Sequence, residues 1–389
     1  MFNSARFSLA RRRRGMRKRE LSESIGVSER SVSAYEKGEQ EPESATLKRI
    51  AEALGFPVAF FFGPDPDELS PDIASFRSMS KMSARQRDSA LGAGSIALLL
   101  DEWIEERFNL PAQDLPDLGR DPDSLTTLQA QEKYEENIPF PTAQTAHHPE
   151  AAAEALRSHW GLGELPVKNM VMLLESKGIR VYSLAIDAKE VDAFSMWYGG
   201  KPFIFLNTFK SAEHCRFDAA HELGHLVLHR HGLSQGPELE REANAFASAF
   251  LMPRKSVLAN SPKLATLPLL VKYKKYWTVS AAALNYRLHS LGLTTDWTYR
   301  TLCIQLAEAG YRTSEPEGAS HEKSIILEKV FSTLRAEGLT KSKVAAELLI
   351  PEEEIDALTF GLMLNLLKGG VSGDVEPTKK NANTLRLIK

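Results

Sequence analysis

The stretch His221-Glu222-Leu223-Gly224-His225 places two imidazoles four residues apart, with a carboxylate directly after the first. In an α-helix, residues at i and i+4 lie one above the other on the same face, so both rings can reach one metal ion. Glu222 is turned away from the line that joins the two rings. A carboxylate in that position can hold and deprotonate a metal-bound water without ligating the metal. The spacing therefore predicts a helix that carries a metal site.

The residues around this motif predict that its helix is buried. Phe217, Ala220, Gly224 and Leu228 recur at helical spacing and form an apolar stripe, in which the glycine allows another backbone to approach closely. A histidine-rich amphipathic helix without metal is the alternative. The buried stripe favours a metal site, with Zn2+ as the expected ion and Mn2+ as its substitute, and hence a zinc metalloendopeptidase.

A catalytic zinc requires a third protein ligand, and the helix predicted between Pro237 and Pro253 offers two glutamates. Glu240 borders the small, apolar side of that helix, whereas Glu242 falls on the opposite side, so we predict Glu240 as the ligand. Asn244, one turn further, is expected to orient a ligating histidine through a hydrogen bond. This pattern resembles the thermolysin-like zincins, which makes the predicted enzyme gluzincin-like.

Three further histidines flank the motif, namely His214, His229 and His231. His229 continues the i+4 spacing from His225, but one metal ion does not usually bind side chains from three successive helical turns. We therefore expect His229 to be solvated or to face the substrate.

Residues 192–207 have the pattern of two strands joined at Gly199-Gly200. Pro202 lacks a backbone N–H, which indicates that the second strand lies at an edge of its sheet. An edge strand beside a zinc helix can bind an extended peptide as an added strand, although an ordinary packed hairpin is the alternative. The residues predicted to bind substrate in this way are Phe203, Ile204, Phe205 and Leu206.

Residues 18–38 have the rhythm of a helix-turn-helix. Gly26 would form the turn and Ser28 the N-cap of a second helix that enters the major groove. The expected inner face consists of Leu21, Ile25, Val27, Val32 and Tyr35. Flanking helices near 5–14, 45–54 and 58–62 complete a five-helix module. The residues expected to contact DNA are Arg17, Lys18, Ser28, Arg30, Ser31, Ser33 and Lys37.

Basic residues are concentrated in this N-terminal region. Residues 1–63 hold 12 Lys and Arg against 8 Asp and Glu, whereas the whole chain has a formal net charge of −3. We expect the run Arg11 to Arg14 to neutralise phosphates at a helix end, with a solvated surface as the alternative. With the helix-turn-helix beside it, the expected partner is double-stranded DNA.

Together these motifs resemble an XRE-type helix-turn-helix regulator fused to an ImmA/IrrE-family zinc metallopeptidase domain. The first part of the resemblance rests on 26–28, 35–38 and 54–55, and the second on 221–225, 240–247 and 251–253. The resemblance implies limited proteolysis of a partner repressor or antitoxin-like regulator in a stress, phage or mobile-element response. It also implies a DNA operator and a homodimer on paired half-sites.

The rival hypothesis is an autoregulating DNA-binding regulator or antitoxin, whose zinc domain senses a ligand or holds structure without proteolysis. Composition fits either hypothesis, since 43% hydrophobic and 25% charged residues can form packed domains. No apolar run approaches the roughly 18 to 20 residues of a membrane span. Cys215 and Cys303 are too few for a disulfide scaffold, so a cytoplasmic, nucleoid-associated protein without a membrane partner is expected.

The predicted fold class is multidomain and mostly α, with an α+β zincin-like core, an N-terminal five-helix domain and a helical C-terminal region. Residues 72–110 are expected to be helical. The predicted divisions are a helix-turn-helix domain at 1–65, a helical and Pro-rich connector at 66–148, the metallopeptidase core at 149–260, a helical helix-turn-helix-like subdomain at 261–318, and a helical sensor or dimerisation region at 319–389.

Overall fold

In the computed structural model of the chain, the described residues are 1–69, 75–76, 82–116, 149–184, 193–230, 236–311 and 314–361. Helices predominate and a small sheet lies among them, which confirms the predicted mostly helical fold with an α+β core. Much of the predicted connector, His231 and the end of the C-terminal region lie outside these ranges. Within them, we find no helix with both the length and the apolar character that a membrane span requires.

The N-terminal residues form the predicted five-helix module. Its elements are α1 (Ser4–Arg13), α2 (Lys18–Ile25), α3 (Glu29–Glu36), α4 (Ser44–Leu54) and a 3₁₀ helix (Val58–Phe62). α2 ends at Gly26, whose φ of 66° lies in the left-handed region that glycine adopts at little cost. Ser28 caps α3 by accepting a hydrogen bond from the backbone N–H of Ser31. Leu21, Ile25, Val32 and Tyr35 are buried, as predicted.

The sheet has the strand order β1-β3-β4-β2. Its strands are β1 (Ser75–Phe76), β2 (Arg180–Leu184), β3 (Ala193–Tyr198) and β4 (Lys201–Asn207). β3 and β4 form the predicted hairpin, and both turn glycines, Gly199 and Gly200, have positive φ, as a type I′ turn requires. β2 pairs with β4 in parallel, and β1 pairs with β3 antiparallel.

β4 lies inside the sheet, so the prediction that it is a substrate-binding edge is wrong. It pairs with β3 on one side and β2 on the other, and its four apolar residues are buried. Those residues are Phe203, Ile204, Phe205 and Leu206. The prediction took Pro202 as the sign of an edge strand. Pro202 instead lies at the start of β4, where it pairs with Trp197 next to the hairpin turn, and proline is tolerated at that position of an inner strand.

The remaining helices surround this sheet. They are α5 (Ala84–Glu105), α6 (Pro149–His159), α7 (Met170–Ser176), α8 (Ala212–Leu228), α9 (Pro237–Leu251), α10 (Arg254–Asn260), α11 (Leu267–Trp277), α12 (Ala281–Ser290), α13 (Asp296–Glu308), α14 (Ile325–Ala336), α15 (Lys341–Leu348) and α16 (Glu352–Leu358). The expectation that 72–110 is helical is correct for α5 and wrong for Ser75–Phe76, which forms β1 because its backbone pairs with β3.

Alternating residues of the sheet belong to two apolar cores, as expected for side chains that point to opposite faces of a strand. Phe194 and Phe205 belong to a core shared with the N-terminal module, α5 and the C-terminal helices α14 to α16. Ala193 and Leu206 belong to a core shared with α8 and α9. The sheet therefore separates the N-terminal module from the helix that carries the histidine motif.

The N-terminal arginine run binds carboxylates of the chain itself. Glu354 on α16 accepts from Arg13 at 2.8 Å and from Arg14 at 2.6 Å. Arg11 binds Glu36 at 2.5 Å, and Arg12 lies 3.3 Å from Glu68. The expectation that this run neutralises DNA phosphates is wrong for Arg13, which is 8% exposed and enclosed with its partner.

Candidate metal centre

α8 and α9 bring His221, His225 and Glu240 together. The Nε2 atoms of the two histidines lie 3.1 Å apart, and the two carboxylate oxygens of Glu240 each lie 3.3 Å from one of these nitrogens. Ligand atoms about 2.0–2.1 Å from a tetrahedral zinc ion are separated from one another by about 3.3 Å. The separations of 3.1 and 3.3 Å are close to this value, with a different oxygen of Glu240 near each histidine, so these residues fit the metal.

The close approach of the two helices depends on Gly224. A Cβ at this position would lie 3.1 Å from Cδ1 of Phe246 and 3.3 Å from Cα of Ala243, both on α9. These distances are tighter than ordinary van der Waals contact, and closely packed interiors resist such expansion. Glycine on α8 therefore allows Glu240 to reach the two imidazoles, as the sequence suggested.

Glu240 is held in its charged form. Burial opposes ionisation, but the hydrogen bonds with His221 and His225 lower the pKa of Glu240 to about 2. The side chain is therefore a carboxylate at neutral pH, which is the form that binds a metal ion.

Glu222 is fully buried directly after the first histidine. The Ser195 hydroxyl of β3 donates a hydrogen bond to its Oε2 at 2.7 Å, which fixes the orientation of the carboxylate. Sequence reasoning missed Ser195. The available signal was a polar residue within the apolar strand 193–198.

His229 contacts the outer side of His225. Their Nδ1 atoms lie 2.9 Å apart, and Nε2 of His229 lies 2.9 Å from Oε2 of Glu242. When Glu242 accepts the Nε2–H of His229, the Nδ1 of His229 can accept the Nδ1–H of His225. That arrangement leaves the Nε2 lone pair of His225 available for a metal ion.

The structure corrects the expectation about His229. His229 is mostly buried against His225 rather than solvated or facing the substrate, and Glu242 contacts it because α9 packs along the last turn of α8. The Asn244 amide donates to the backbone carbonyl of Glu240 at 2.7 Å. This bond runs to the preceding turn of its own helix, and the role of Asn244 in orienting a ligating histidine stays a prediction.

Comparison with known proteins supports both the helix-turn-helix module and the region around the histidine motif. Residues 8–61 match the family model described as Helix-turn-helix, and residues 174–289 match the Peptidase_M78 model, described as IrrE N-terminal-like domain. The chain thus has an N-terminal segment similar to the Helix-turn-helix family and a later segment similar to the IrrE N-terminal-like domain, called here the IrrE-like domain. The matched range of the IrrE-like domain includes α8, α9 and all three clustered side chains.

The chain is also similar to curated relatives. These are uncharacterized HTH-type transcriptional regulators of Sinorhizobium medicae and Rhizobium meliloti, each 34% identical over 64 residues. The match covers 16% of this chain and 46% of each relative, so the chain spans about half the length of the curated relatives it matches.

The residues predicted to contact DNA lie in the helix-turn-helix module. Some are exposed, and others contact neighbouring side chains of the module. Arg17 and Arg30 are exposed. Lys18 pairs with Glu36 at 2.7 Å, and its Nζ lies 3.5 Å from the Ser33 hydroxyl. The remaining predicted contacts also have neighbours within the chain: the hydroxyls of Ser28 and Ser31 lie 2.8 Å apart, and Lys37 lies 3.6 Å from Glu39.

We expect His229→Ala in the IrrE-like domain to weaken zinc affinity by about 10- to 100-fold, because His225 loses the group that fixes its tautomer. Competition with a chromophoric chelator measures this affinity. His214→Ala is the matched control, since His214 lies on the same helix with a side chain that is 44% exposed. Equal zinc affinity in the wild type and both variants would show that His229 has no part in holding the metal.

Proposed function

We propose that the chain is a DNA-binding regulator with a gluzincin-like, zinc-dependent endopeptidase domain that cleaves a partner repressor or antitoxin-like regulator in a stress, phage or mobile-element response. The proposal rests on the cluster of His221, His225 and Glu240, whose ring nitrogens and carboxylate oxygens have separations that suit one zinc ion. The buried carboxylate of Glu222 lies next to this cluster. Among the described residues this cluster supplies three protein ligands. Structural zinc sites close with four, whereas three leave a position for water, so the donor set favours catalysis.

The chain's own residues have distinct tasks in this chemistry. Zinc bound at the site supplies Lewis-acid polarisation of the scissile carbonyl and a water whose pKa approaches about 7. Glu222 takes the proton of the attacking water and passes it to the leaving amide nitrogen. Ser195 keeps the Glu222 carboxylate oriented, and His229 keeps His225 in the tautomer whose Nε2 can ligate.

The proposed partner of the N-terminal module is a double-stranded DNA operator. The helix-turn-helix match and the exposed position of Arg30 on α3 support this assignment. Such modules usually bind paired half-sites as dimers, so we propose a homodimer on DNA. A protein with these two partners would work in the cytoplasm, in association with the nucleoid.

Removal of zinc tests the proteolytic part. We expect the zinc-stripped chain to leave the regulator encoded by the adjacent gene intact, and one equivalent of zinc to restore cleavage, as measured by mass spectrometry of the fragments. Unchanged cleavage after complete zinc removal would contradict the proposal. A zinc-loaded chain that binds its operator but never cuts the regulator would support the rival hypothesis of a sensing or structural zinc domain.

Arg30→Ala tests the DNA-binding part. We expect it to weaken binding to the DNA upstream of the chain's own gene by about 1–3 kcal/mol, because an arginine that reads a base edge contributes that much. Fluorescence anisotropy at fixed salt concentration measures the affinity. Arg335→Ala, at an exposed position on α14, is the control and should bind like wild type. If Arg30→Ala binds with unchanged affinity and specificity, Arg30 does not read the operator.

A further inference from the structure

β3 runs along the helix that carries the histidine motif. Ser195 binds Glu222, and two residues further the indole N–H of Trp197 donates to the carbonyl of Leu226 at 3.2 Å. One edge of β3 pairs with β4. The opposite edge of β3 is one to which an extended peptide can bind as an added strand.

The chain itself occupies this edge. β1 (Ser75–Phe76) pairs antiparallel with β3, with Ser75 opposite Ser195 and Phe76 opposite Phe194. Ser195 is the residue whose hydroxyl holds Glu222. The backbone of β1 therefore lies across from the part of β3 that contacts the proposed general base.

Residues that precede β1 also contact this part of the sheet. The hydroxyl of Tyr198, at the end of β3, donates a hydrogen bond to Asp67. Leu69 is buried, and a Cβ placed on Gly94 of α5 would lie 2.7 Å from Cδ1 of Leu69 and 3.4 Å from Cζ of Phe194. Asp67 and Phe76 thus lie beside opposite ends of β3, Asp67 at Tyr198 and Phe76 at Phe194.

Residues 63–68 are bound to the helix-turn-helix module. Arg6 Nε donates to the carbonyl of Pro64 at 2.6 Å, and Asn3 Nδ2 donates to the carbonyl of Gly63 at 3.0 Å. A further contact joins Arg12 to Glu68. These contacts join the start of the DNA-binding module to residues that precede β1 in the chain.

We propose that β1 is a built-in competitor for the substrate edge of β3, so that an extended peptide must displace Ser75–Phe76 before it can be cleaved. The inference rests on the proposed peptidase function, which makes that edge a substrate site. Two paired residues provide few hydrogen bonds, and each is worth only a small net free energy. A longer peptide that pairs along all of β3 can therefore displace them.

The test compares wild type with two double variants, S75P/F76P and S75V/F76V. Proline removes the backbone donors that a strand pair requires, whereas valine keeps them and favours strands. The probes are the tripeptide hydroxamate Pro-Leu-Gly-NHOH and acetohydroxamate, which has no peptide part. We expect the proline variant to bind the tripeptide probe about tenfold more tightly than the other two proteins. Acetohydroxamate should bind equally to all three.

Amide hydrogen exchange of the zinc-free proteins provides an independent measurement. In the proline variant the β3 amides that face β1 should exchange faster than in wild type or the valine variant. Equal affinity of all three proteins for the tripeptide probe would overturn the proposal. If acetohydroxamate binds none of the three proteins, the proposed zinc site is wrong. In that case the exchange measurement still tests the pairing of β1 with β3, and unchanged exchange of the β3 amides in the proline variant would overturn it.

A second variant covers the case in which the proline variant does not fold. Tyr198→Phe removes only the hydroxyl that binds Asp67. Like the proline variant, it should bind the tripeptide probe more tightly than wild type, but by a smaller factor. A decrease in that affinity, with acetohydroxamate binding unchanged, would contradict the competitor role.

Discussion

Glu222→Gln is expected to lower kcat/KM for cleavage of the partner regulator by about 10²- to 10⁴-fold, the usual contribution of a general acid–base group. Glutamine has nearly the same shape and can still accept the hydrogen bond that Ser195 donates. It cannot accept a proton from water. Bound zinc and operator affinity should therefore remain at wild-type values, because neither depends on the charge of this buried side chain.

Fragment formation and metal content are measured on the same protein samples. Glu238→Gln is the matched control, since this side chain lies on α9, is 64% exposed and pairs with Arg241 at the surface. It should cleave at the wild-type rate. If Glu222→Gln cleaves as fast as wild type with zinc bound, Glu222 is not the general base and the proposed chemistry is wrong.

Glu354→Ala is expected to lower the free energy of unfolding by about 3–5 kcal/mol, because removal of one partner leaves a buried charge uncompensated. Glu354 has a side chain that is 2% exposed and binds both Arg13 and Arg14. Its loss would leave the Arg13 guanidinium enclosed between α1 and α16 without its carboxylate. Urea denaturation, followed by intrinsic tryptophan fluorescence, measures the change.

Glu353→Ala is the control for this prediction, because Glu353 is the exposed neighbour on the same helix. It should change the stability by less than about 0.5 kcal/mol. Replacing both charged partners in R13M/E354M should recover most of the loss, since apolar residues of similar volume often substitute for a buried ion pair. Wild-type stability of Glu354→Ala would mean that this ion pair does not join the N-terminal module to the C-terminal helices.

The sequence could predict that His221, His225 and Glu240 come together, because each part of the prediction depends on residues close to one another in the chain. The two histidines share a face through helical periodicity, and Pro237 defines the start of the helix that carries Glu240. The helix-turn-helix was equally accessible, since Gly26 and Ser28 signal the turn and the cap.

The surroundings of the site could not be read in the same way, because they depend on contacts between distant segments. The place of β4 in the sheet is decided by β2 and β1, which lie on either side of the hairpin in space and precede it in sequence. The contact of Glu242 with His229 depends on how α9 packs against α8. Arg13 finds its partner 341 residues away in Glu354, which no local pattern in the N-terminal run could indicate.

The central claim is that this chain holds a catalytic zinc through two histidines and Glu240, and metal content tests it most directly. Inductively coupled plasma mass spectrometry of the purified chain should give about one zinc per chain. Glu240→Ala should lose most of that zinc, whereas Glu222→Gln should keep it. A wild-type chain without zinc, or a Glu240→Ala chain that retains as much as wild type, would contradict the account.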